Sequence, residues 1–313
     1  MSSWPPIEPL IAVVPLGESA LDIFQNENPV WDLGEGVRSI FGGFLVGHSV
    51  AAAKKTVPAT FQVHSLQSVF VKPGNPRERI MYRIERILDG RTLATRLVRA
   101  TQGNVLLFHA TIGFQRSEDS GTAKSAANGV RVLEYDMAMP QWATQVSPED
   151  ESLGSGFAMF AEMGVPQKSA EESPQDPLEW RHLPGEAIRN PTEFRRRSFV
   201  RIPLLSTDDH ATHLTALAWM SDAWLIYTAN LASPGNHPLG IWRSIVIETT
   251  VNHSVWFHSP TVKVNNWMVC ERKTSWGADG RVLIQQTMWD RESGRLILSC
   301  VQEGMLRLKV ANL

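Results

Sequence analysis

Cysteine is scarce in this chain: Cys270 and Cys300 are the only two among 313 residues. They supply no framework of the secreted kind, and both lie in apolar, strand-like runs, so they read as buried, reduced thiols of an intracellular protein. Charge of one sign is lacking too. A formal net charge of −2 offers neither a basic field for nucleic acid nor a basic face for a membrane surface. No apolar stretch approaches the length that spans a bilayer. The opening Met-Ser-Ser-Trp-Pro-Pro has no basic n-region, and Pro15 interrupts the apolar run from Leu10 to Leu16, so no secretory signal is expected. The terminal Ala311-Asn312-Leu313 ends in Leu as peroxisomal addresses do, but has Asn where those carry a basic residue. The expected location is intracellular, cytoplasmic or peroxisomal. No cofactor and no metal is expected.

What the chain does have is apolar content, 43%, enough at this length for a substantial core and two domains of ordinary size. It also has an internal echo. His64-Ser65 with Phe70 and Pro73 is followed by Gly90-Arg91, Gly103 and Gln115; His253-Ser254 with Phe257 and Pro260 is followed by Gly280-Arg281, Gly294 and Gln302. The spacings are 27 and 28 from His to Arg, 12 and 13 from Arg to Gly, and 12 and 8 from Gly to Gln. Four landmarks in the same order indicate one supersecondary unit used twice, each copy burying the other's apolar face.

In the first copy a strand is expected over 10–14 and a helix over 43–55, whose small residues from Gly47 to Ala53 suit close wrapping by a sheet. Strands over 62–71, 79–88, 91–101 and 105–114 follow, with Asp89-Gly90 a hairpin signal. In the second copy the spacing predicts a helix over 214–230 and strands over 245–257, 267–273, 282–290 and 296–308. Between them, polar and proline-rich residues read as a connection with one short helix over 149–163. The expected units are 1–115, 116–192 and 193–313.

Several polar residues stand out against apolar surroundings. Along 296–302, Leu296, Leu298, Cys300 and Gln302 share one strand face, so Gln302 is either pinned by neighbours or kept for a ligand. On the second predicted helix Asp222 has Ala218, Trp219, Leu225 and Ile226 as helical neighbours; such a carboxylate needs donors or a changed pKa. His48 sits in the first helix among Phe44, Leu45, Ala51 and Ala52, where a core role and a site role both fit. On the strand 245–257, Glu248, Thr250, Asn252 and Ser254 alternate with Ile247, Val251, Val255 and Phe257. Arg195, Arg196, Arg197 and Arg201 form either a solvated face or a seat for a phosphate-bearing ligand. Of the 11 tryptophans, those at 219, 224, 256, 276 and 289 are candidates for shaping a pocket or filling a core.

Phe41-Gly42-Gly43 with Gly47 and Ala52-Ala53, His64-Ser65 with Phe70 and Pro73, Asp89-Gly90-Arg91, Gln102, Ser221-Asp222, His253 to His258 and Val301-Gln302-Glu303-Gly304 together resemble the type II acyl-CoA thioesterases, the TesB-like family. The resemblance runs over nearly the whole chain outside 116–192. It implies an α+β double hotdog: two helices, each wrapped by a curved antiparallel sheet, with the sheets joined side by side. It also implies that Asp222, Thr250 and Gln302 hold a water and aim it at a thioester carbonyl, with no acyl-enzyme. A carboxylate can take the water's proton while a hydroxyl and a carboxamide orient it. Amides at a helix start such as Gly42-Gly43 are candidate donors to a developing oxyanion. Two departures bear on substrate: Gly47-His48 where many relatives have Gly-Gln, and Asn252 where they have Asp. The candidate substrate contacts are His48, Gly43, Asn252 and His64.

The leading expectation is an acyl-CoA thioesterase that cleaves a fatty or polyketide-like acyl thioester, with a homo-oligomer expected from the exposed sheet edges. Product release or cyclisation on a carrier-bound thioester is the alternative, and the signature of hotdog hydratases is absent. A non-catalytic acyl-thioester binding module is a third reading, against which the retention of Asp222, Thr250 and Gln302 argues.

Overall fold

Strands dominate the computed structural model, which describes residues 6–17, 21–30, 39–116, 133–155, 176–185, 188, 190–233 and 244–309. In the first half they are β1 (Val13–Pro15), β2 (Ile23–Asn26), β3 (Phe61–Phe70), β4 (Met81–Asp89), β5 (Leu93–Gln102) and β6 (Val105–Arg116). In the second they are β7 (Gly154–Ser155), β8 (Glu179–His182), β9 (Arg196–Arg201), β10 (Ile245–Phe257), β11 (Met268–Ala278), β12 (Arg281–Asp290) and β13 (Leu296–Leu308). Among the described residues all thirteen pair antiparallel in one sheet, in the order β1-β2-β4-β5-β6-β3-β10-β13-β12-β11-β9-β8-β7. β3 and β10 join the halves in a register running from Asn252 opposite Val69 to Trp256 opposite Ser65. The Ser68 hydroxyl donates to the His253 carbonyl across that seam, 2.8 Å.

Two helices lie together inside the curved sheet, α2 (Gly42–Lys54) and α4 (His210–Ser221). Both are buried nearly all round, which is why their sequences show small and apolar residues without a polar stripe. Gly47 permits the close crossing: a Cβ there would stand 3.0 Å from the Trp219 Cβ. Asp209 caps α4 by accepting from the Ala211 and Thr212 amides. Lys54 closes α2, donating to the carbonyls of Pro58, Ala59 and Phe61 at the negative end of the helix dipole. This is a double hotdog, with one helix to each half.

Local readings of the sequence needed revision in three places. Residues 10–14 are not one strand: α1 (Glu8–Ile11) is a helical turn with Pro9 near its start, and β1 begins only at Val13. The helix predicted over 149–163 is absent from 149–155, where turns precede β7; its remainder lies outside the described residues, and a short helix occurs earlier instead, α3 (Trp142–Gln145). The helix predicted over 214–230 is broken: α4 ends at Ser221, Trp224 has φ +57°, and α5 (Tyr227–Ala232) restarts the chain. β7 and β8, which fall inside 116–192, extend the second half of the sheet beyond β9.

His48 is a satisfied core residue in this fold. The Leu10 carbonyl can only accept, so Nε2–H donates to it at 2.8 Å and Nδ1 accepts from the Tyr82 hydroxyl at 2.8 Å. Burial pushes the imidazole down to about 4, against the pull of the Leu10 carbonyl, so it stays neutral at physiological pH. His48→Leu should strand both partners and cost about 1–3 kcal/mol for each left unpaired. Urea unfolding measures the loss, and relative rates over a panel of acyl-CoA chain lengths should stay unchanged.

Candidate active site

Asp222 is the C-cap of α4, at the start of the break. Its carboxylate is almost wholly buried and accepts from Gln302 Nε2 at 2.6 Å and from the backbone amide of Gly43. The start of α2, in the first half, thus faces a carboxylate of the second half. Phe41 at the N-cap offers no side-chain cap, and Asp222 takes its place across the helix pair. Burial pushes the Asp222 carboxyl up to about 7, opposed by the Gln302 bond, the Arg272 charge and the Gly43 amide.

Gln302 is fully buried on β13, on the face it shares with Leu298 and Cys300, as the alternation predicts. A second hydrogen bond fixes its amide: Nε2 also donates to His253 Nδ1, 3.3 Å. The other ring nitrogen of His253 then carries the proton and donates to Ser221 Oγ at 2.8 Å, whose hydroxyl donates to the Ala218 carbonyl at 2.7 Å. Burial holds this imidazole down to about 3, so it is neutral. The chain Ala218, Ser221, His253, Gln302, Asp222 therefore orients the Gln302 amide, with Nε2 spent on protein partners and the buried Oε1 left without a protein partner. A buried acceptor left unpaired costs about 1–3 kcal/mol, so a bound molecule that donates to it is strongly favoured.

Thr250 reaches the same side through a bulge. Simple alternation puts Thr250 and Asn252 on one face, but the register slips between them: Thr250 opposes Gly304, whereas Asn252 opposes Glu303 and His253 opposes Gln302. Val251 is the extra residue, so Thr250 faces inward with His253 and Gln302, and Asn252 faces outward. There Asn252 Nδ2 donates to Glu303, 2.6 Å, which also pairs with Arg281. Asp222, Thr250, Gln302 and the Gly43 amide are thereby brought to one side of the sheet, and Asn252 is not. Glu248 shares the inner side and is held by Asn230 Nδ2 at 2.8 Å; burial raises it to about 7, against that bond.

The first half has the same bulge and none of the chemistry. There the slip lies between Val63 and Ser65, Val63 opposes Phe114, and Leu66 opposes Ile112. Matching bulge to bulge and helix end to helix end puts Lys55, Val63 and Ile112 where the second half has Asp222, Thr250 and Gln302. His64 is the extra residue of its bulge, against Gly113, not the counterpart of His253. The echoed His-Ser pairs sit two residues out of step, because period-2 strands let a dipeptide repeat slide along a face.

Other candidates disperse. Arg201 bonds Glu179 at 2.8 Å and stacks on Trp267, Arg196 is buried, and Arg197 lies 3.7 Å from Glu271, so the arginine cluster is tied into the sheet. Trp219 and Trp224 flank the site with Phe41, at ring separations of 5.2 and 6.3 Å. Trp256 and Trp276 are exposed, and Trp289 belongs to a separate core cluster. Ser221 and His253, noted in the sequence only as landmarks, touch this cluster directly, and Arg272 and Gln286, which the sequence does not single out, bond the carbonyls of Ala223 and Ser221 on either side of Asp222.

A double hotdog that brings a buried carboxylate, a buried carboxamide and a half-buried hydroxyl to one inner face has the groups an acyl thioester hydrolase needs. Comparison with known proteins specifies the family. The acyl-CoA thioesterase N-terminal domain model matches residues 31–115 and the acyl-CoA thioesterase C-terminal domain model matches 156–306. The chain belongs to the acyl-CoA thioesterase family. It is 27% identical over 276 residues to acyl-coenzyme A thioesterase 8 of Mus musculus, covering 86% of this chain and 81% of that one. It is 28% identical over 288 residues to acyl-CoA thioesterase 2 of Haemophilus influenzae, covering 91% and 92%. The solved acyl-CoA thioesterase II TesB2 of Mycobacterium marinum shares the fold at a TM-score of 0.70, with 22% identity over 98% of this chain and 99% of that one.

Proposed function

We propose that this thioesterase hydrolyses acyl-CoA with a water held by Asp222, Thr250 and Gln302. The observation that carries the reading is the 2.6 Å bond that places the Gln302 amide against the Asp222 carboxylate, on the face to which the bulge turns Thr250. The water donates one hydrogen to the carboxylate and is oriented by the Gln302 Oε1 and the Thr250 hydroxyl. Its oxygen attacks the thioester carbonyl carbon as Asp222 takes the proton. The tetrahedral intermediate expels the CoA sulfur, the C–S bond breaks, and the proton held by Asp222 passes to the thiolate. Acid and free CoA are the products, and no acyl-enzyme forms. A base near 7 suits this cycle, since it can both take and return a proton at neutral pH.

Activity requires ionised Asp222, so kcat/KM should fall as pH drops through about 7. Free-thiol release from an acyl-CoA measured between pH 5.5 and 9 tests this. A rate that stays flat down to pH 5.5, with no fall through about 7, would overturn a base raised to that value at Asp222. A panel of acyl-CoA chain lengths and carrier-bound acyl groups identifies the preferred thioester, and release at background from all of them would sink the hydrolase reading.

The finer expectations take their own tests. A yeast relative, 24% identical over 336 residues, is named a peroxisomal acyl-coenzyme A thioester hydrolase, which supports delivery to peroxisomes; microscopy of the chain tagged at its N-terminus distinguishes that from the cytoplasm. The residues 311–313 lie outside the described residues. Among the described residues no helix is long and apolar enough to cross a membrane. Exposed Val69 and Trp256 on the outer face of the joined strands support a homo-oligomer, checked by light scattering.

A further inference from the structure

We propose that Arg272, working with Gln286, is a positioning residue that holds the carbonyls of the two residues flanking Asp222 and so aims its carboxylate. The proposal rests on Asp222 being the base. Arg272 and Gln286 are directly opposed on β11 and β12, a cross-strand pair facing inward. Both are buried, Arg272 at 3% exposure and Gln286 at 1%. Arg272 Nη2 donates to the Ala223 carbonyl at 2.9 Å, its Nε donates to Gln286 Oε1 at 2.6 Å, and Gln286 Nε2 donates to the Ser221 carbonyl at 3.3 Å. The guanidinium also lies 4.7 Å over the Trp180 ring, which holds its plane.

The pair thus takes up carbonyls exposed where α4 stops, Ser221 before the base and Ala223 after it. This accounts for the broken helix: the carbonyls that would receive later amides of a continuous helix are drawn to the sheet instead, and Trp224 enters the left-handed region as the chain turns. A buried guanidinium is costly to desolvate, so two matched acceptors and a ring face are needed to keep it there.

The same cation favours the ionised base. Four of the other ionisable groups that face it are neutral across pH 6–8: burial keeps His253 of β10 and His182 of β8 deprotonated, and raises the thiols of Cys300 on β13 and Cys270 on β11. Arg196 of β9 is a further permanent charge beside His182. Glu248 on β10 and Asp176, which accepts from Trp224 Nε1, are pushed by burial to about 7 and about 6. Every variant below retains both, so a shift between variants reports the clamp.

The test is kcat and KM against pH for the full chain with variants Gln286→Glu, Arg272→Met and Arg272→Lys. Gln286→Glu keeps shape and the acceptor for Nε but cancels the cation, so its acid limb should move up by about one pH unit. Arg272→Met should move the limb likewise and lower kcat about tenfold or more with KM little changed, because the base is loosened. Arg272→Lys keeps the charge without the fork: the limb stays and kcat falls. Limbs that superimpose on the unmodified protein in Gln286→Glu and Arg272→Met, with only the melting temperature lowered, would make the pair a structural prop and overturn the proposal. If Arg272→Met does not fold, Gln286→Glu decides alone. Asp222→Asn measured alongside separates the two readings: an unchanged rate there removes the base itself, whatever the clamp does.

Discussion

Asp222→Asn is expected to lower kcat for acyl-CoA hydrolysis by about 10²–10⁴-fold, the range removed with a positioned base. The change keeps shape, Arg272 and Gln286 still hold the turn through the Ala223 and Ser221 carbonyls, and the amide oxygen still accepts from one of the two donors, the Gly43 amide or Gln302 Nε2. What is lost is the group that takes the proton. Binding of a non-hydrolysable acyl-CoA analogue should survive. The sign of the stability change is as informative. The folded carboxyl titrates at about 7 and the unfolded one near 3.8, so this group favours the native state fully below the unfolded value and less as pH rises toward 7. Above pH 7 the buried charge is a burden on the order of a few kcal/mol. The carboxamide of the Asp222→Asn variant carries no charge, so its melting temperature at pH 8 should be no lower than that of the unmodified protein. Activity within twofold of unmodified would remove Asp222 as the base; a protein inactive only because it has unfolded would show in the melt.

The fold was legible in the sequence wherever its cause was local. Asp89-Gly90 and the alternation beside it mark a hairpin because turn chemistry and period-2 burial act within a few residues, and the strands over 245–257 and 296–308 lie where the pattern places them. Gln302 was visible for the same reason, as a carboxamide at the end of the apolar face of Leu296, Leu298 and Cys300. The rest depends on partners far along the chain. Asp222-Ala-Trp-Leu-Ile reads as continuing helix by every local measure, whereas the carbonyls at the break, those of Ala223 and Ser221, are taken up by Arg272 and Gln286, 49 and 65 residues away. The bulge at Val251 has no local marker either. Without it Thr250 would share a face with Asn252; with it Thr250 joins His253 and Gln302. His253 drew notice as half of a repeated dipeptide, whereas its work is to hold an amide on another strand. The resemblance of the chain outside 116–192 to a family supplied Asp222, Thr250 and Gln302 together, and periodicity alone would not have joined them.

The start of α2 sets where the base can sit, so Gly42→Ala should lower kcat by about 10²-fold, the loss that follows a misplacement of about 1 Å in a catalytic group. A Cβ on Gly42 would lie 2.6 Å from Asp222 Oδ2 and 2.8 Å from the Phe70 ring. Both neighbours are held in place on their far sides. Phe70 packs edge-on against Phe108, with ring centres 5.0 Å apart, and the Asp222 turn is held through the carbonyls on both sides of it. The helix start must therefore shift, taking the Gly43 amide off the carboxylate or pushing the carboxylate off Gln302. Overpacking of this kind costs about 1–3 kcal/mol, partly offset because Ala favours a helix over Gly by about 1 kcal/mol. Gly47→Ala on the same helix is the control: its Cβ would press on the Trp219 Cβ at 3.0 Å, lowering stability without touching Asp222. The expected pattern is a comparable fall in melting temperature for both and a collapse of kcat for Gly42→Ala alone. If Gly42→Ala keeps kcat within threefold, or if both variants lose rate in step with stability, the close seat of the carboxylate on the helix start does not govern the chemistry, and the Gly42-Gly43 pair serves packing only.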